Sequence, residues 1–262
     1  MNEKYRTTVA FLLFCLLIFA AFMIVSKPEK KEVKKPLVVP TQKIKGKIAI
    51  VLDDWGYNLN NLPIVQQIRY PLTASVLPHL AYSRAVSVNL HRSGFEIILH
   101  LPMEPHEKFN LEKNTILTSF TPQQIRDTMS EDLASIDYCA GISNHMGSKA
   151  TEDARTMQAV LQEIKKRQLF FLDSLVSSKS VCAQLAVQDK VRFAKRDIFL
   201  DNQEDRAYIK GQLIKLRDKA REQGSAIGIG HDRKATLLVL KEMMPELESQ
   251  GYRFVYLSDL VK

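Results

Sequence analysis

Short apolar runs recur along the chain from Ile48 onward, separated by amphipathic stretches. They fall at Ile48–Leu52, Thr73–Leu77, Glu96–Leu99, Ala140–Ser143, Leu169–Leu172, Arg192–Ala194, Ala226–Ile229 and Arg253–Leu257. Most suit strands covered on both faces. Between them the period changes. Thr121-Pro122-Gln123-Gln124 predicts a helix start, with Thr as N-cap and Pro in the first turn. Met157, Val160, Leu161 and Ile164 predict a helix within Thr151–Gln168. This alternation predicts parallel strands joined by crossover helices, either an α/β barrel or a doubly wound sheet.

The N-terminal part has a different character. Val9–Val25 is an uncharged apolar run, near the lower length limit for a bilayer-spanning helix. We read residues 1–26 as an uncleaved signal anchor, with a cleaved signal as the alternative. Residues 27–46 are a Lys/Pro-rich linker, and residues 47–262 are one domain. The formal net charge of +8 is concentrated in the tether. Residues 1–47 carry ten Lys/Arg and three Glu, a net +7, which leaves about +1 for the body. A nucleic-acid-binding domain would keep its charge on the folded part, so that class is set aside. The flanking charges conflict over orientation, because Lys4 and Arg6 precede the run and the Lys27–Lys35 cluster follows it. Cys139 and Cys182 are compatible with one disulfide or with two buried thiols.

Polar residues gather where the predicted strands end. Asp53-Asp54 closes the first, Pro78-His79 the second, and His100 the third, with Glu104 four residues on. Asn144-His145, Asp173-Ser174, Arg196-Asp197 and His231-Asp232 follow later strands. In a parallel barrel all these ends open onto one face, where such barrels build their sites. Asp, Asn and Ser there are also common helix caps, whereas His is a poor cap. An Asp/His cluster is metal-ligand chemistry: three such ligands leave a position for water, whose pKa the cation lowers. A second carboxylate can act as base and a further His as acid. No phosphate-binding Gly loop and no Gly-x-Ser-x-Gly elbow is present. A metal-free glycosidase pairing Asp53 with Asp173 or Asp197 is the competing enzyme class.

The stretches IAIVLDDWGYN (Ile48–Asn58), EIILHLPMEP (Glu96–Pro105), GISNHMGSKATED (Gly141–Asp153), LFFLDS (Leu169–Ser174), RDIFLDN (Arg196–Asn202) and AIGIGHDRKATL (Ala226–Leu237) resemble the divergent polysaccharide deacetylase family. The resemblance implies a distorted seven-stranded α/β barrel, one domain, that hydrolyses acetyl groups on sugars such as chitin oligomers, peptidoglycan or xylan. It implies Asp53 as general base, Asp54 and His100 as metal ligands and His231 as general acid. Asp197, with Arg196, would tune a catalytic partner, and Asn144, Asp173 and Arg196 would line the substrate site. Glu104 stands where the wider family has the second His of a His-x-x-x-His motif, so the resemblance implies His145, in the Asn-His-Met-Gly-Ser stretch, as the third ligand, with Glu104 as the alternative. The implied cofactor is a divalent metal, zinc first. The implied partner is an envelope polysaccharide or peptidoglycan fragment, met on the outer side of the cytoplasmic membrane. A non-catalytic glycan-binding scaffold on the same barrel is the alternative.

Overall fold

Nine strands, all paired in parallel, form one curled sheet in a computed structural model that describes residues 44–108 and 110–262. In chain order they are β1 (Gly46–Trp55), β2 (Thr73–Val76), β3 (Glu96–Met103), β4 (Cys139–Met146), β5 (Phe170–Asp173), β6 (Phe193–Lys195), β7 (Ile198–Phe199), β8 (Ser225–His231) and β9 (Tyr252–Val255). Helices α1 (Leu62–Val65), α2 (Ser83–Arg92), α3 (Pro122–Ala134), α4 (Ala154–Lys166), α5 (Cys182–Asp189), α6 (Arg206–Gln223) and α7 (Lys234–Ser249) cover the outside. The sheet runs β6-β5-β4-β3-β2-β1-β8-β7, with β9 added to β1 beside β2. Strand β7, absent from the sequence-based expectation, follows β6 after only two residues. The Phe193–Phe199 segment thereby bonds β5 with its first half and β8 with its second.

Two apolar layers result. The larger lies between sheet and helices and includes Ile48, Ile50, Leu52, Met157, Val160, Leu161, Ile164 and Leu240. The smaller fills the inside of the curl with Ala49, Val51, Ile98, Phe170, Leu172, Ala194, Ile227, Ile229, Val255 and Leu257. Successive side chains on β1 alternate between the two, as strand geometry requires. Phe170 crosses the interior directly against its register partner Gly141, where a Cβ would stand 2.3 Å from the ring.

Local chemistry sets the boundaries. Thr121 accepts from Gln124 N and Gln124 reciprocates, the expected capping box on α3. The α4 helix starts later than Thr151, because Asp153 caps it by accepting from Thr156 N at 2.7 Å. Strand β3 continues beyond Leu99 through Pro102, since β2 ends at Val76 and no ladder bond is lost on that side. Cys139 opens β4 and Cys182 opens α5, and both are free thiols. Burial raises them to about 11 and about 12, so they stay protonated and unreactive. The apolar run Val9–Val25 and most of the linker lie outside the described residues, among which no helix is long and apolar enough to cross a membrane.

Phe170→Ala should cost about 3–5 kcal/mol, read as a lower urea midpoint in equilibrium unfolding, because it empties the interior layer.

Candidate metal centre

Alternation decides which strand-end residues reach the open end of the interior. On β1 the interior residues Ala49 and Val51 are followed in phase by Asp53; on β3, Ile98 by His100; on β8, Ile227 and Ile229 by His231. Ser143 pairs with His100, and His145 lies two residues further along β4. Asp54 should point outward by the same count. The register between β1 and β2 shifts between Leu52 and Trp55, and Asp54 takes a left-handed φ of 65°, which Asp tolerates better than most residues. Its Oδ1 consequently lies 3.3 Å from His100 Nε2 and 3.2 Å from His145 Nδ1.

These three ligand atoms all lie within 4.8 Å of one another. Asp54 Oδ1 is buried without a hydrogen-bond partner. Such an atom is costly unless a cation occupies the space it faces. Two imidazoles and a carboxylate are the donor set of a zinc-type site with a place left for water. The residues therefore fit a divalent cation. Behind them, His100 Nδ1 bonds Ser143 Oγ at 2.8 Å, and His145 Nε2 lies 3.3 Å from Glu112 Oε1, which also accepts from the Tyr57 hydroxyl. Burial favours a neutral Asp54, but His100 and His145 hold its carboxyl far below the usual range. Burial pushes Asp53 up, with the Asp54 charge adding and His100 opposing.

Several expected site residues point elsewhere. Glu104 is engaged in the loop: its Oε1 meets Lys149 Nζ at 2.6 Å and its Oε2 accepts from Thr118 N and Oγ1. His145 and not Glu104 joins the cluster. Asp173 and Asn144 are out of phase with the interior. Asp173 accepts from Leu175 N and Ser180 Oγ, and the Asn144 amide bonds Met146 O and Ser174 N, so both hold loops. Asp197 accepts from Ile227 N and faces Lys219, away from the cluster. Asp173 and Asp197 are thus engaged in loop and backbone contacts, which disfavours both carboxylate pairs of the glycosidase alternative. Arg196, in contrast, stays beside the site: it donates to Ser174 O and Leu175 O and lies over the Phe199 ring at 3.7 Å, and that ring stacks on His231 with centroids 6.1 Å apart. His79 pairs with buried Asp132 at 2.9 Å, outside the cluster.

The carboxylate that holds His231 is Asp201. Its Oδ1 meets His231 Nδ1 at 2.7 Å, and its Oδ2 accepts from His231 N and Thr236 Oγ1. This close approach depends on Gly230, where a Cβ would stand 2.9 Å from Thr236 Cγ2 and 3.4 Å from Asp201 Oδ2. Burial alone would lower the His231 pKa, but Asp201 raises it above the ordinary value of 6.5. The charged pair thus stabilises the fold fully below about 6.5 and loses that contribution as pH rises through the higher folded value. Asp201 was not singled out in the sequence; the only signal was its place in the RDIFLDN stretch.

A family profile described as divergent polysaccharide deacetylase matches residues 50–261. The chain belongs to that family. Among divergent polysaccharide deacetylases and other relatives, it is similar to the uncharacterized protein YibQ of Escherichia coli (strain K12), 35% identical over 88% of this chain and 68% of the relative. It is also similar to an uncharacterized protein of Haemophilus influenzae, 33% identical over 75% and 70%. The deacetylase fold recurs in solved structures. An uncharacterized protein from Agrobacterium tumefaciens C58 superposes with a TM-score of 0.78 at 23% identity, covering 84% of this chain and 90% of that one. The catalytic domain of peptidoglycan N-acetylglucosamine deacetylase from Eubacterium rectale gives 0.51 at 14% identity, over 81% and 88%.

Asp201→Asn should bring the His231 protonation midpoint below the ordinary range, measured by NMR titration of the ring. An unchanged midpoint would show that Asp201 does not set it.

Proposed function

We propose that this chain is a metal-dependent hydrolase that removes acetyl groups from an envelope polysaccharide or peptidoglycan fragment. The observation that carries the proposal is the Asp54–His100–His145 cluster, with a buried carboxylate, Asp53, and a carboxylate-held imidazole, His231, on adjacent strands beside it. A divalent cation, zinc first among candidates, would be held by Asp54, His100 and His145 and would supply Lewis acidity at neutral pH.

The remaining roles follow from the side chains. Asp53 has a pKa raised by burial, which suits a base that must take a proton near neutrality. It removes a proton from water as the water oxygen bonds to the acetyl carbonyl carbon. His231, kept basic by Asp201, then delivers a proton to the sugar nitrogen or oxygen as the bond between that atom and the carbonyl carbon breaks, and acetate leaves. With Asp201 on Nδ1, Nε2 is the ring atom left to serve the leaving group. The fold shared with the Eubacterium rectale peptidoglycan deacetylase domain makes a glycan the first substrate class to test. The apolar run Val9–Val25 supports a single-pass anchor that places the domain outside the cytoplasmic membrane. A reporter fused after Lys262 should then be active only in its extracytoplasmic form; cytoplasmic activity would overturn that placement.

The purified chain should bind one equivalent of Zn2+ in calorimetric titration. Asp54→Ala and His145→Ala should abolish binding and Glu104→Gln should preserve it; full occupancy in the first two would remove the site assignment.

Acetate release from chitin and peptidoglycan fragments should fall about 10²–10⁴-fold in Asp53→Asn while metal is retained. A metal-loaded wild-type chain that releases none from either would favour the non-catalytic glycan-binding scaffold.

A further inference from the structure

A second concavity lies toward the other end of the sheet. Its volume is about 690 Å³, and it is bounded by residues 67–71 ahead of β2, by α7 and by β9. Arg253 on β9 lines it and pairs in register with Lys47, which stands six positions before Asp53 on β1. At about 3.3 Å per residue those positions span about 20 Å. A group bound here is therefore remote from the metal centre.

Its charge is one-sided. Arg69, Lys241 and Arg253 line it against a single carboxylate, Glu248, a net +2 on a body that carries about +1 in all. Arg69 and Arg253 are exposed and enter no ion pair among the described residues. The one carboxylate is already engaged, because Glu248 Oε2 accepts from the Tyr70 hydroxyl at 2.8 Å. Lys241 Nζ donates to the neutral Gln67 Oε1 at 2.7 Å, which leaves its charge uncompensated. Two guanidiniums without acid partners are the donor set that takes phosphate or carboxylate oxygens.

The rest of the lining suits a sugar ring more than a bare anion. The Tyr70 and Phe254 rings meet at 5.2 Å with their planes tilted by 60°, and Pro245 adds to this apolar wall. Pro245 stands inside α7 and has no N–H, so Lys241 O lacks its usual helical donor. A ligand hydroxyl is a donor for that oxygen. The volume is also in the range of small-molecule sites, about 300–1,000 Å³. We propose that this concavity binds an anionic saccharide, with its phosphate or carboxylate at Arg69 and Arg253 and its ring against Tyr70, Phe254 and Pro245. The site stands apart from the proposed metal chemistry and does not depend on it.

Calorimetric titration of the purified full chain with glucose 6-phosphate, glucuronic acid and inorganic phosphate tests the proposal. At least one of the two sugars should bind saturably, and which of them does so names the anionic group. Inorganic phosphate should bind at least about 10-fold more weakly than the better sugar, since it gains nothing from the apolar wall. Arg69→Gln and Arg253→Gln should each weaken sugar binding by about 10–100-fold, as expected for loss of a charge-assisted hydrogen bond. Asp54→Ala, at the other end of the sheet, should leave it unchanged. Failure of both sugars to bind the wild-type chain would overturn the proposal without depending on any variant. Phosphate bound as tightly as the better sugar, binding unchanged in both arginine variants, or binding lost in Asp54→Ala would each overturn it as well.

Discussion

Everything at the open end of this fold depends on the two-residue alternation of parallel strands curled around a narrow apolar plug. Ala49, Val51, Ile98, Phe170, Leu172, Ile227 and Ile229 fill the plug. The next residue in phase on β1, β3 and β8 is Asp53, His100 or His231. The chemistry is a continuation of the packing: where the interior stops being apolar, the same columns of side chains become ionisable. The low-dielectric floor beneath them also makes their mutual charges matter. Burial pushes Asp53 up, while the two imidazoles beside Asp54 outweigh the same effect there.

One break in the alternation is as important as the rule. Regular geometry would send Asp54 to the helix side of the sheet. The left-handed backbone at φ 65° and the register shift against β2 turn it inward, so that consecutive carboxylates face one cavity. A backbone departure of this kind, at the point where the proposed site needs two neighbours on one face, is where stored local strain is expected. The Asp-Asp pair therefore reads as one unit: the first residue is placed by the strand, the second by the irregularity.

Much of this was legible in the residues. The apolar runs located eight of the nine strands, and Thr121 announced its helix. The grouping of histidines with the Asp pair pointed to one end of a barrel. What was not legible follows from range. Phase within each strand would have separated Asp173 and Asn144 from His145, but it depends on strand boundaries that extend past the apolar runs. Asp201 comes 30 positions before its partner His231, and only the curling of the sheet brings them together. Glu112 reaches His145 from a connection between β3 and α3 that has no periodic pattern of its own. β7 is two residues long, too short for any pattern to announce.

The order in which the strands are joined also bears on how the chain is made. β1, the first strand among the described residues, bonds β8 along most of its length and β9 along its first four residues, both from the C-terminal part. The final residue, Lys262, exchanges two backbone hydrogen bonds with Phe193 on β6. A chain emerging stepwise from a ribosome or a translocation channel therefore holds β1 with one edge uncovered until β8 has emerged. Contacts of such long range are slow to form and leave strand edges open to unwanted pairing in the interval. Asp53 meets His231 only at the end of that interval, so a chain cut before β8 would expose an apolar edge and lack the proposed acid–base pair at once.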